Sequence, residues 1–491
     1  MKHKQYCILL ENNINSNIFM RLIRLFIFIS FLTSCSNDQK LISFSEKNYD
    51  EAFQLIEYWL EAQKDYENLP GITAMIGSED GLVWSGAYGM ANDNDTMSIE
   101  NTFSICSISK LFTSIAIMKL VEEQKIKLND PINEILPWFD LKQQFKNSPK
   151  LTIKSILTHS SGLPRESNHA YWTWPDFPFP SKEGVIKELK NQEMLYPSSK
   201  YYQYSNLGLT LLGYVIEEVS GESFDDYVSN NILDPLSMSN TKTYMSEKEY
   251  GELLSVGYSS IKRDRNREKV NFFNADGIAA AAGFTSNVQD LGKFATWQFQ
   301  LLKSLGKNII SSKTLKEMHK VHWNDELTSV TRGLGFGVYK LNGEKFIGHG
   351  GSCPGYRSNL VLSPEIGVSY LVMINSSGTN PGKYIAGIDN ILKKVTNHKD
   401  SISNKFRELE GKYSVQPWGS ESYVQSWGDD LAILDIPSDA PKLTLYKKTK
   451  KDFFKRILKN NELGEELEVL RDENNLVTGF KLHQNINYKI N

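Results

Sequence analysis

The chain has 491 residues, a net charge of −3, and 40% hydrophobic and 11% aromatic side chains. That length exceeds one ordinary core and predicts two domains after any leader. The composition excludes long disorder, and the near-neutral charge excludes nucleic acid as a partner.

The first predicted element is an export signal over residues 1–35. Met20-Arg21-Leu22-Ile23-Arg24 is a basic start, and Leu25 to Leu32 is an apolar run too short to span a bilayer. It ends in Leu32-Thr33-Ser34-Cys35, which resembles a bacterial lipobox with Cys35 as the lipidated residue, followed by a polar linker over residues 36–45. Residues 1–19 carry Asn and Glu and read unlike a leader, so Met20 is a second candidate start. The expected location is the cell envelope, on the periplasmic or outer side of a bacterial membrane; an ordinary cleaved secretory signal is the alternative.

Phe53, Ile56, Trp59 and Leu60 then predict an opening helix over 49–64, and Ile72–Ser78 and Leu82–Tyr88 a hairpin around Glu79-Asp80-Gly81. Leu111, Phe112, Ile115, Ala116, Leu120 and Val121 recur at helical spacing and predict a buried central helix. Residues 151–164 read as a short helix running into a turn, 205–231 as helical, and 286–300 as a further capped helix. Beyond residue 333 the pattern is strand-like: Leu334–Leu341, Lys345–Gly348, Tyr356–Leu362 and Val368–Ile374, before a helix over 381–395. Strands at both ends with helices between predict an α+β fold: an antiparallel sheet flanked by helices, with a helical insertion, over residues 46–398. Seven short strands between Tyr413 and Leu482 predict a small β-meander or barrel over residues 399–491, with a packing role as the default.

Ser107-Ile108-Ser109-Lys110 opens the central helix, and its spacing puts a hydroxyl and an amine about one turn apart. A serine hydroxyl needs such a neighbour to become a nucleophile, and a lysine entering a core needs a purpose. Tyr204-Ser205-Asn206 starts a helix about one hundred residues on. A phenol near a lysine serves as a general base, and an asparagine offers donors and an acceptor to the lysine and a substrate carbonyl. His349-Gly350-Gly351 ends a strand, where glycines let a substrate backbone lie close. Cys106 and Cys353 each adjoin a motif; export permits a disulfide, but buried free thiols are the reading preferred here. His319 and His322 are a close pair with no ligand set around them, so neither metal nor cofactor is expected.

In this order the three motifs resemble the serine β-lactamase-like superfamily, in its class C β-lactamase, D-Ala-D-Ala carboxypeptidase and carboxylesterase branch. Leu157-Thr158-His159-Ser160-Ser161-Gly162-Leu163-Pro164, Ala281-Ala282-Gly283-Phe284-Thr285-Ser286 and Gly333-Leu334-Gly335-Phe336-Gly337 also fit, and the likeness covers about residues 46 to 396. The resemblance implies that Ser107 forms an acyl-enzyme, with Lys110 and Tyr204 shuttling its proton and the base assignment open between them. It implies that Asn206 orients Lys110 and the substrate, that His349 faces the substrate, and that the main-chain N–H groups of Ser107 and Ser352 form an oxyanion hole.

True class C enzymes carry Lys-Thr-Gly where this chain has His349-Gly350-Gly351. A permanent cation is thus replaced by an imidazole, largely neutral at pH 7. The expectation is therefore a serine hydrolase of an ester or amide, D-amino-acid peptides among them, rather than a true β-lactamase. The alternative is a non-catalytic relative that binds or senses a cell-wall peptide or acyl ligand. Expected partners are a small-molecule or peptide substrate and, through the lipid anchor, a membrane. The loop Tyr171–Pro180 reads either as an apolar acyl pocket or as a proline-stiffened flap.

Overall fold

A computed structural model describes residues 42, 44–45, 48–304, 308–395, 405–439, 441 and 443–490. The lipobox and Cys35 lie outside the described residues. Among the described residues, no helix is long and apolar enough to cross a membrane.

Helix α1 (Asp50–Tyr66) buries Ile56, Trp59 and Leu60 of the predicted stripe, with Leu55 beside them, while Phe53 is half-buried. Strands β1 (Gly71–Ser78) and β2 (Gly81–Gly89) form the predicted hairpin. Helix α2 (Ser109–Glu122) follows Ser107 and is buried on nearly every side. The helical region contributes α3 (Ile153–Leu157), α4 (Asn206–Ser220) and α5 (Val288–Lys303). The helix predicted over 205–231 is broken, because Gly221 adopts a left-handed conformation that ends α4.

The remaining large strands are β3 (Gly337–Leu341), β4 (Glu344–Cys353), β5 (Tyr356–Ser363) and β6 (Val368–Ile374), followed by α6 (Pro381–Leu392). They make an eight-stranded sheet in the order β2-β1-β6-β5-β4-β3, extended by the short strands Thr331–Arg332 and Trp323–Asn324. All the pairings are antiparallel.

The two faces of the sheet are sorted by strict alternation. Ile72, Ala74 and Ile76 of β1, with Tyr370, Val372 and Ile374 of β6, pack under α1 and α6. Met75, Leu371 and Met373 point to the other face, into the core that holds Phe112 and Phe294. Both strands are therefore buried throughout. Gly387 of α6 leaves room for Trp59: a Cβ there would sit 2.1 Å from the indole ring.

The C-terminal segment is a closed antiparallel barrel of eight strands, β7 to β14: Gly411–Ser414, Glu421–Trp427, Asp430–Ile436, Leu443–Lys450, Phe453–Ile457, Leu463–Arg471, Val477–Leu482 and Asn485–Ile490. Tyr413, Leu431, Ile433, Phe454 and Phe480 fill its interior. On β9, Ala432, Leu434 and Ile436 point outward and join the core beneath α1. Tyr58 stacks on Tyr423 at 3.7 Å and donates to Glu421 at 2.6 Å, completing the seam. The filled interior and the apolar seam fit packing better than ligand storage.

Candidate active site

Ser107 lies in a tight turn, Cys106–Ile108, that leads into α2. Cys106 has φ +51, a left-handed backbone at a residue with a side chain, held by its surroundings. Ser109 Oγ donates to the Cys106 carbonyl and accepts from Phe284 N–H at 3.1 Å, while Thr113 donates to the Ala280 carbonyl. The Ala281–Ser286 motif thus fastens the start of α2.

Lys110 Nζ is 3.0 Å from Ser107 Oγ and donates to the Ala281 carbonyl at 2.6 Å. Its side chain is only 1% exposed. Burial holds the amine well below its ordinary value; Glu166 opposes that shift, and Arg165 and Arg332 add to it.

The second motif is positioned by the first supporting motif. Ser205 caps α4, accepting from Gly208 N–H and donating to the Pro164 carbonyl at 2.6 Å. Its own N–H donates to His159 Nδ1, whose ring lies 4.3 Å from that of Tyr204. The Tyr204 phenol is pushed up to about 12 by burial, with the Ser107 hydroxyl, Arg332 and Arg165 pulling the other way. At neutral pH it is therefore protonated.

Asn206 is held by Glu166 rather than by Lys110. Its amide donates to both oxygens of Glu166, at 2.7 and 3.0 Å, and its contact with Lys110 is absent from the hydrogen bonds of both side chains. Asn206 Oδ1 is buried with no partner among the described residues. Glu166 also accepts from Tyr171 and pairs with Arg165 at 3.2 Å. Sequence reasoning missed Glu166, although it lies only two residues beyond the quoted motif ending at Pro164. Because Glu166 raises the Lys110 pKa, Glu166→Gln is expected to move the acid limb of the kcat/KM profile to lower pH. The rate should fall about tenfold as the charged contact to Asn206 is lost. A pH–rate profile checks both effects.

The third motif sits within β4 rather than at the end of a strand, which continues to Cys353. His349 is buried, and its Nδ1 donates to the Gly350 carbonyl at 2.7 Å, leaving Nε2 as an acceptor without a partner among the described residues. Burial, with Arg332 and Lys110 nearby, lowers its pKa to about 3, so the ring is neutral. Gly351 is required by the protein itself: a Cβ there would lie 2.2 Å from the Ile105 carbonyl. The glycine spacing at 333–337 is not a strand throughout; β3 begins at Gly337, and Gly335, at φ +81, packs on Ser114.

Cys106 and Cys353 form a disulfide, correcting the free-thiol expectation. Their Cα atoms are 5.8 Å apart across 247 residues of sequence, because β4 lies directly against the Ser107 turn. The loop Tyr171–Pro180 packs as a flap: Tyr171 and Phe177 are buried, and Phe179 stacks on Phe273.

Ser107, Tyr204, His349, Gly350, Gly351 and Ser352 share one cleft of about 660 Å³. Lys110 and Asn206 are buried behind that surface. The β-lactamase family model matches residues 57–389, the span that holds all three motifs.

The chain belongs to the β-lactamase family.

Among β-lactamase relatives, the chain is 30% identical over 234 residues to Beta-lactamase-like protein 2 of Dictyostelium discoideum, covering 45% of this chain and 42% of that protein. It is 25% identical over 350 residues to the unguisins hydrolase ungD' of Aspergillus campestris, covering 69% of this chain and 64% of that one. The chain thus spans less than two thirds of either relative. Among solved structures, it is similar to the octameric penicillin-binding protein homologue from Pyrococcus abyssi, with a TM-score of 0.62 and 25% identity, covering 86% of this chain and 96% of that one. A D-amino acid amidase from Ochrobactrum anthropi shares the fold, with a TM-score of 0.59 at 20% identity over 70% of this chain and 98% of that one.

Proposed function

We propose that this chain is a serine hydrolase that cleaves an ester or amide through an acyl-enzyme on Ser107. One observation carries the reading: a buried lysine, lacking a carboxylate partner among the described residues, lies 3.0 Å from a serine hydroxyl at the wall of an open cleft. Burial favours the neutral amine, whose lone pair accepts the Ser107 proton. Lys110 is therefore the base, and Tyr204, protonated at rest, is the acid.

In the first half-reaction Ser107 Oγ bonds to the substrate carbonyl carbon as its proton passes to Lys110 Nζ. The main-chain N–H groups of Ser107 and Ser352 receive the oxyanion. The bond to the leaving group breaks as Tyr204 gives that group a proton, which Lys110 then returns to the phenol. In the second half, water loses a proton to Lys110 and attacks the ester carbon; the bond to Ser107 Oγ breaks as Lys110 passes that proton to Oγ, which releases the carboxylic acid and restores the serine.

The unguisins hydrolase is a hydrolase by name, which supports hydrolysis as the reaction. The neutral His349 supports an esterase or D-peptidase over a true β-lactamase. A turnover screen of p-nitrophenyl esters, D-alanyl peptides and nitrocefin tests the reading. Hydrolysis of an ester or D-alanyl peptide is expected; a folded protein that turns over none of them and resists fluorophosphonate favours a binding or sensing role.

We also propose that the protein is exported and anchored through Cys35. Cys35→Ala is expected to abolish lipid labelling and release the protein from membranes; unchanged retention on fractionation rejects the anchor.

A further inference from the structure

His159 is 3% exposed and does not line the cleft, yet its ring lies against that of Tyr204. It stands just past the end of α3, where Thr158 closes the helix, and its own backbone is left-handed at φ +54. Glycine or asparagine is the relaxed residue at such a position. A histidine there carries strain that the surrounding structure has to hold.

What this residue holds in turn is the segment that carries the phenol. His159 N–H donates to the Ile156 carbonyl at 3.0 Å, fixing the residue to α3. Its carbonyl accepts from Gln203 N–H at 2.7 Å, and its Nδ1 accepts from Ser205 N–H at 3.2 Å. Between those two residues sits Tyr204, with its ring centroid 4.3 Å from the imidazole and the planes 31° apart. One residue therefore grips the chain before the tyrosine, the chain after it and the aromatic face.

The grip needs a neutral ring. Because Nδ1 accepts a main-chain hydrogen bond, the ring proton is on Nε2. Burial holds the imidazole well below its ordinary pKa, and Arg332, Lys110, His349 and Arg165 oppose a second proton further. A proton donor has to stand within hydrogen-bond reach of the leaving atom. A misplacement of about 1 Å at such a group costs on the order of 100-fold in rate.

We propose that His159 is the positioning residue for the Tyr204 acid, acting through the Ser205 N–H and the ring face, so that it controls cleavage of leaving groups that need a proton. This rests on the acyl-enzyme reading with Tyr204 as the acid. The test compares p-nitrophenyl and ethyl esters of one acyl group. The nitrophenolate departs without a proton, whereas ethoxide is protonated as it leaves, so the ratio of the two kcat/KM values reports on the acid.

His159→Phe keeps an aromatic face and removes the acceptor. It is expected to lower kcat/KM about 10- to 100-fold for the ethyl ester and less than about threefold for the p-nitrophenyl ester. His159→Asn keeps an acceptor near the Nδ1 position and suits the left-handed backbone, so it should recover part of the ratio. In a Tyr204→Phe background neither substitution should move the ratio further. If His159→Phe does not fold, His159→Gln, whose carbonyl falls near the Nε2 position, takes its place. Equal losses on both esters, as a merely structural role gives, or an additive effect in the Tyr204→Phe background overturns the proposal. If Tyr204→Phe moves the ratio and His159→Phe does not, the proposal alone falls. If Tyr204→Phe leaves the ratio unchanged, or turnover survives Ser107→Ala, the underlying reading falls and takes the proposal with it.

Discussion

Lys110→Met is expected to slow acylation about 10²- to 10⁴-fold, the range of a lost general base, without loss of thermal stability. Methionine fills a similar volume, and replacing the amine removes a buried polar group whose protonation burial already opposes. The sign of the pH dependence follows from that burial. The folded pKa lies well below 10.5, so between the two values the unfolded chain binds a proton that the folded chain does not. Wild-type stability should therefore rise with pH across that window, and the methionine variant should lack this slope. Wild-type acylation should fall as pH drops through the lowered pKa. Pre-steady-state burst kinetics and thermal melts across pH measure both. Near-normal acylation by a folded variant would transfer the base role to Tyr204.

The second large effect is expected at the disulfide. Cys106 immediately precedes Ser107, and Cys353 immediately follows Ser352, so the bridge ties together the residues that carry both proposed oxyanion donors. Replacing both cysteines by alanine should cost roughly 2–4 kcal/mol of stability, because the bridge closes a long loop. It should also lower kcat about 10- to 100-fold, with a smaller change in KM, since misplaced donors weaken transition-state binding most. Denaturant unfolding and steady-state kinetics on the double variant check this. Unchanged stability together with unchanged kcat would show that the bridge positions nothing.

Much of this was legible from periodicity. Trp59 and Ile56 announced α1, and the unbroken apolar surface of α2 announced a central helix, because burial on one or all sides writes itself into spacing. The three motifs named the cleft because each needs particular functional groups. What stayed hidden depends on where distant segments return in space. Glu166 looks like an ordinary loop carboxylate until α4 brings Asn206 to it. The two cysteines are 247 residues apart, and their places beside two motifs hinted at nearness without fixing whether the thiols join. The last barrel strand was invisible for another reason: Asn487 points inward while Ile486 and Tyr488 face solvent, the reverse of the usual signal. Pairing with Gly411–Ser414, which closes the barrel, stabilises that strand instead.

The most direct measurement is the mass of the protein, acid-quenched during turnover of an ester. The account predicts a wild-type species heavier by one acyl group, mapped by peptide fragmentation to Ser107, and no such species for Ser107→Ala. An adduct on another residue, or one that persists in Ser107→Ala, would contradict it.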